Sequence, residues 1–164
     1  MTAVPCSSSN HVDNCRTCSA LFVAGLILLI GAGQHLRADL RRARAEPNLE
    51  KRSALALLNA SETLKSIRAI YDRGEIEQVA AAVVEIEESV RLAADSLAAT
   101  GKDPRRSPKW FKRAEIETRD LERKLEGLQQ QMSFTDRYLI ESVKSTVERI
   151  HDELLRGLME GKRK

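Results

Sequence analysis

Residues 76–97 read IEQVAAAVVEIEESVRLAADSL. Within them Ile76, Val79, Val83, Ile86, Val90, Ala93 and Leu97 follow one another in alternating steps of three and four. A half-buried strand would alternate every second residue. A mean step near 3.5 instead gathers these side chains on one side of an α-helix. The stretch contains no Gly or Pro and is rich in Ala and Glu, so local propensity agrees with the pattern. Gly74 precedes it and Thr100-Gly101 follows it, both suited to helix termini. The spacing predicts a helix from about Glu75 to Ala99.

Three further helices of similar length follow from the same pattern on either side. Leu57, Ala60, Leu64, Ile67 and Tyr71 line a helix from about Leu49 to Arg73, opened by Pro47-Asn48 and closed by Gly74. Phe111, Ala114, Thr118, Leu121, Leu125, Leu128 and Met132 line another, with Ser107 expected as its N-cap and Pro108 as its first residue. Ile140, Val143, Val147, Ile150, Leu154 and Leu158 line the last, which is expected to start near Ser133–Asp136 and to end before Gly161.

Connection lengths set the topology. Residues 72–75 join the first two helices, and about three residues join the last two, so both pairs fold back as antiparallel hairpins. The middle link, Thr100 to Ser107, is also short. The expected fold is all-α: an antiparallel up-down-up-down four-helix bundle of two helical hairpins, over residues 48–161. A mean period near 3.5 favours shallow crossing of neighbours. The alternative is a short solenoid of hairpins stacked side by side. Tyr71–Ala80 is similar to the turn of a tetratricopeptide repeat, but the second helix is too long for that repeat and no second copy occurs.

Ahead of the bundle, Ala20–Gly33 reads ALFVAGLILLIGAG, fourteen residues without a polar side chain. That is short for a bilayer-spanning helix, which needs about 20 apolar residues. It fits the apolar region of a secretory signal, with Gly31 and Gly33 at offsets that suit cleavage before Gln34. Residues 1–33 are therefore expected to be a signal peptide, giving a periplasmic or extracellular protein. The alternative is an uncleaved anchor over residues 20–36, where four following Arg residues would favour a cytoplasmic bundle. Residues 34–47 are expected as a basic linker, and residues 162–164 as a basic tail. Cys6, His11, Cys15 and Cys18 have a spacing that could supply zinc ligands, but the residues around them offer nothing to pack, and they sit where a leader would be.

The net charge of +3 belongs to that leading segment. Residues 1–45 hold five of the 27 Lys+Arg and two of the 24 Asp+Glu, which leaves 22 of each sign in the rest. A balanced bundle is a poor nucleic-acid binder, since that function needs a concentrated basic surface. After the leader, His35 and His151 are the histidines and Cys is absent. Most hydrolase and transferase designs need a base that titrates near neutrality, so catalysis is not expected. No phosphate-cradling glycine motif occurs. Glu148 and His151 share the Glu-x-x-His spacing of carboxylate-bridged metal bundles, but there is one such motif rather than two. With Ile150 on the seam, the pair is expected to flank it, and no metal or cofactor is expected. Asn59-Ala-Ser61 matches the glycosylation pattern but falls mid-helix. Glu85, Glu87, Glu88, Glu115 and Glu117 read as surface charge.

Lys102–Arg113, KDPRRSPKWFKR, carries six basic residues and one Asp in twelve, with Trp110 and Phe111 among them. The expected anionic-surface site is Lys102, Arg105, Arg106, Lys109, Trp110, Lys112 and Arg113, because cations beside aromatics suit anionic headgroups. The plain alternative is a soluble helix entry in which Phe111 opens the core and Trp110 covers the bundle end. The middle link, the tail and the N-terminal Arg cluster all belong to the same end of an up-down-up-down bundle, so one pole is expected to be basic. Together these features suggest a non-catalytic binding or scaffolding bundle of the cell envelope, exported or membrane-tethered. Its partners would be another protein, a second copy of the chain or an anionic membrane, with nucleic acid and small-molecule substrates not expected. The alternatives are a membrane-anchored, cytoplasm-facing signalling bundle and, weakest, a metal-binding bundle.

Overall fold

A computed structural model describes the backbone of residues 34–160 and the side chains of residues 40–160. The leader or anchor, the Cys6–Cys18 cluster and the basic tail fall outside the described residues. Helix α1 spans Gln34–Ala45, α2 Leu49–Asp72, α3 Ile76–Ala99, α4 Pro108–Gln131 and α5 Glu141–Glu160. A single 3-10 turn, Arg137–Ile140, leads into α5. The expected all-helical fold with four long helices is what the chain adopts, with no strand among the described residues.

The helix ends follow from local chemistry. Asn48 holds extended backbone angles, and its Oδ1 accepts the amide hydrogen of Lys51 at 3.0 Å, capping α2. Gly74 and Gly101 take φ values of 75° and 67° just after α2 and α3, where a Cβ would be strained. Two sequence expectations are corrected here. Ser107 stands at the N-cap position of α4, but its side chain makes no capping bond. Its amide instead donates to the Asp103 carbonyl at 2.9 Å, which ties it back into the link. The last helix begins at Glu141, not near Ser133–Asp136. Ser133, Thr135 and Asp136 hydrogen-bond one another, and short polar side chains paired locally draw a chain into a turn.

The four expected seams form the core. Leu57, Ala60, Leu64 and Ile67 of α2 meet Val79, Val83, Ile86, Val90, Ala93 and Leu97 of α3. Phe111 through Met132 of the α4 line, Ile140 just ahead of α5, and Val143, Val147 and Ile150 within α5 complete it. Thr118, the polar member of the α4 seam, is buried with its hydroxyl donating to the carbonyls of Ala114 and Glu115. Ile76 departs from its seam and is exposed at the first turn of α3.

Helices α2 and α3 pack along one another, as do α4 and α5. Between hairpins, α2 lies beside α4 and α3 beside α5, while α3 and α4 approach only briefly. Successive helices alternate in direction, so these cross-hairpin neighbours run parallel. The eight-residue link spans from one hairpin to the diagonal helix of the other, and the two hairpins stack within an up-down-up-down order.

The stretch expected as a basic linker is helical over Gln34–Ala45. It has no Gly or Pro, and Ala, Leu and Arg are good helix formers. Leu40 and Ala43, three residues apart, are buried, and Ala43 joins the core. Among the described residues, no helix is long and apolar enough to cross a membrane.

Candidate functional site

The end of α3, the middle link and the start of α4 bring the cationic stretch to one end of the bundle. Gly101 turns the chain, and Asp103 then organises the link. Its carboxylate accepts the Arg105 amide at 2.9 Å, and its carbonyl accepts the Arg106 amide at 3.1 Å. That turn leaves the Arg105 and Arg106 side chains exposed. Pro108 starts α4, whose first turns present Lys109, Lys112 and Arg113 outward while Phe111 enters the core.

The seven expected site residues separate into two groups. Lys102 is held by Glu50 at 2.7 Å, tying the link to the start of α2. Arg113 is held by Glu117 at 2.8 Å, one turn along α4. Trp110 is half-buried against the core, with Lys109 Nζ 5.5 Å and Arg113 Cζ 5.9 Å from its ring centre. The side chains of Arg105, Arg106, Lys109 and Lys112 are exposed and form no ion pair among the described residues. Phe111 is thus buried and Trp110 packs half-buried against the core, while Arg105, Arg106, Lys109 and Lys112 are exposed.

One part of the basic-pole expectation is corrected. Within the N-terminal Arg cluster, Arg44 lies away from this end. Arg44 pairs with Glu88 at 2.9 Å, halfway along α3, because α1 lays Leu40 and Ala43 into buried positions.

An apolar groove of about 280 Å³ opens at the same end. Leu97 of α3, Phe111 of α4, Ile150 and Leu154 of α5, and Pro104 of the link line it. Pro104 closes one side by settling on Gly157, with its Cγ 3.3 Å from where a Cβ would stand.

Glu148 is exposed and His151 half-buried, on either side of the buried Ile150. No group of three or more His, Cys, Asp and Glu is placed to hold a metal ion among the described residues.

The sequence reading missed a polar contact inside the first hairpin. Asn59 is buried in α2, and its amide donates to Glu85 Oε1 at 3.1 Å and Ser89 Oγ at 2.9 Å on α3. Glu85, read as surface charge, is buried in that contact, and the buried Glu115 lies 3.5 Å from Arg119. Glu87 is half-buried and accepts hydrogen bonds from Arg91, Thr146 and Ser142. The Arg91 bond, foremost, holds its carboxyl below the ordinary value. A signal was present: Asn59 and Thr63, and Glu85 and Ser89, are polar pairs one turn apart beside the apolar seams.

At the other end, Tyr71 of α2 joins the α4–α5 connection through Asp136 and Ser133. Hydrogen bonds from Ser133 and then Tyr71 hold the Asp136 carboxyl below its ordinary value.

No protein-family model matches this chain, and no curated protein or solved structure matches it either.

Proposed function

We propose that this is a non-catalytic binding or scaffolding bundle of the cell envelope, exported or membrane-tethered, whose cationic end contacts an anionic surface. One observation carries the reading: Arg105, Arg106, Lys109 and Lys112 stand exposed without an ion pair among the described residues, clustered on one link and one helix start. Exposed cations usually scatter among carboxylates that neutralise them. Here two nearby acids are engaged with other cations, Glu50 with Lys102 and Glu117 with Arg113, and Asp103 of the link accepts the Arg105 amide. Near an anionic bilayer each basic residue contributes about 1 kcal/mol. The apolar run Ala20–Gly33 supplies the route to that bilayer, as an export signal or as an anchor.

The test is co-sedimentation of the full chain with neutral phosphatidylcholine vesicles and with vesicles containing phosphatidylglycerol. The apolar run can adsorb to both, so the preference for anionic vesicles is the readout. The preference should be at least tenfold, weaken with salt, and disappear in an Arg105→Glu/Arg106→Glu/Lys109→Glu/Lys112→Glu variant. Equal partition of the parent chain into both vesicles overturns the reading.

A further inference from the structure

The apolar groove and the exposed cations of the link lie at the same end of the bundle. The geometry points to the groove between α3, α5 and the link as the seat of one acyl chain of an anionic phospholipid, whose phosphate meets Arg105 and Arg106. This inference rests on the preceding reading of the cationic end and goes further by naming the lipid part that enters the protein.

Three observations support it. The groove is lined mainly by apolar groups, with Leu97, Phe111 and Ile150 as buried parts of its lining and Ala98 and Leu154 more accessible. Its two charged lining residues are already neutralised, Lys102 by Glu50 and Glu153 by Arg149. A chain entering the groove therefore meets no bare carboxylate. Pro104 lines the groove, and the next two residues in the chain are the exposed Arg105 and Arg106. That adjacency puts positive charge beside an apolar slot, the complement of a lipid with an anionic head and a hydrocarbon tail. Gly157 is part of the arrangement, because its bare Cα lets Pro104 approach α5 and wall the slot.

The test uses the full chain and phosphatidylglycerol carrying a photoactivatable group in its acyl chain. Crosslinks are expected on Leu97, Ala98, Leu154 and Gly157. An Ala98→Phe variant should fill the slot from an exposed position, lowering those crosslinks at least fivefold while keeping the thermal midpoint. In solution, a single-chain lysophosphatidylglycerol below its micelle concentration should shift Trp110 fluorescence, and glycerol phosphate at the same concentration should not. Crosslinks confined to residues 20–33, or equal responses to the two soluble ligands, overturn the inference. Retained preference for anionic vesicles without crosslinks in the slot removes only the acyl seat. Loss of that preference in the parent chain removes the cationic-end reading as well.

Discussion

Tyr71 Oη donates to Asp136 Oδ2 at 2.8 Å across the two hairpins, and the Tyr71 Oη in turn accepts the Ser133 amide at 3.0 Å. One phenol thus ties the last turn of α2 to the connection between α4 and α5. Asp136 also receives the Ser133 hydroxyl at 2.7 Å. Both hydroxyls donate to it, so the clamp favours the carboxylate form.

The pH dependence of this clamp has a defined sign. Asp136 is held below its ordinary value of 3.8 in the folded state. A carboxyl lowered on folding stabilises the fold above the ordinary value, and that contribution is lost as pH falls through the folded-state value. Asp136→Asn should therefore melt below the parent at pH 7, and the gap should narrow steadily below about pH 4. Tyr71→Phe removes the donor and the acceptor together and should lower the pH 7 midpoint by roughly 2–5 °C. Thermal melts of the three proteins from pH 7 to pH 2.5 decide it. A gap that stays constant with pH would show that the carboxylate is not the acceptor that matters.

The contact between Asn59 and Glu85 predicts a larger effect. Removing the Asn59 amide leaves a buried carboxylate without that donor, and an orphaned buried group costs about 1–3 kcal/mol. Asn59→Ala should lose that much stability, while the double variant Asn59→Leu/Glu85→Leu should recover part of it, because no charge is then left buried. Urea denaturation of parent, single and double variants measures both. A double variant no more stable than Asn59→Ala contradicts this account.

The seams were legible because packing repeats with the helix period, so Val79 through Leu97 could be placed on one face from spacing alone. Asn59, Glu85 and Ser89 were not, because one apolar line per helix leaves open which flank the partner helix covers. The parallel pairing of α2 with α4 was equally hidden, since an eight-residue link can reach either neighbour. Helix α1 shows a third reason. Its Arg residues dominate its composition, and burial of Leu40 and Ala43 depends on surfaces far away in sequence. For the candidate site, the residues were readable as a cluster, but their division into paired and unpaired cations was not. Glu50, the partner of Lys102, lies 52 residues away.

That division predicts separable effects. Lys102→Ala breaks an ion pair whose carboxylate is four-fifths buried, and should cost about 0.5–1 kcal/mol after allowance for the half-exposed lysine. Lys112→Ala and Arg106→Ala break no ion pair and should change stability by less than about 0.5 kcal/mol. Vesicle preference should show the reverse order, falling more for Arg106→Ala than for Lys102→Ala. Chemical denaturation and co-sedimentation of the three variants provide the two scales. If all three move both quantities in parallel, the cations do not divide as the structure shows.

Two glycines offer a test of the backbone independent of any ligand. Gly127 lies inside α4, and a Cβ built there meets nothing within 4 Å. Gly in a helix interior costs roughly 0.5–1 kcal/mol relative to Ala, so Gly127→Ala should stabilise the bundle by about that amount. Gly74 also has open space around it, but its φ is 75°. There an added Cβ meets its own backbone rather than a neighbour, and Gly74→Ala should destabilise by about 1–2 kcal/mol. Because neither site has neighbours to clash with, the opposite signs isolate backbone conformation as the cause. Paired denaturation curves measure it. A stabilising Gly74→Ala would mean that the turn between α2 and α3 does not hold the left-handed conformation, and with it the tight hairpin on which the stacking of the bundle depends.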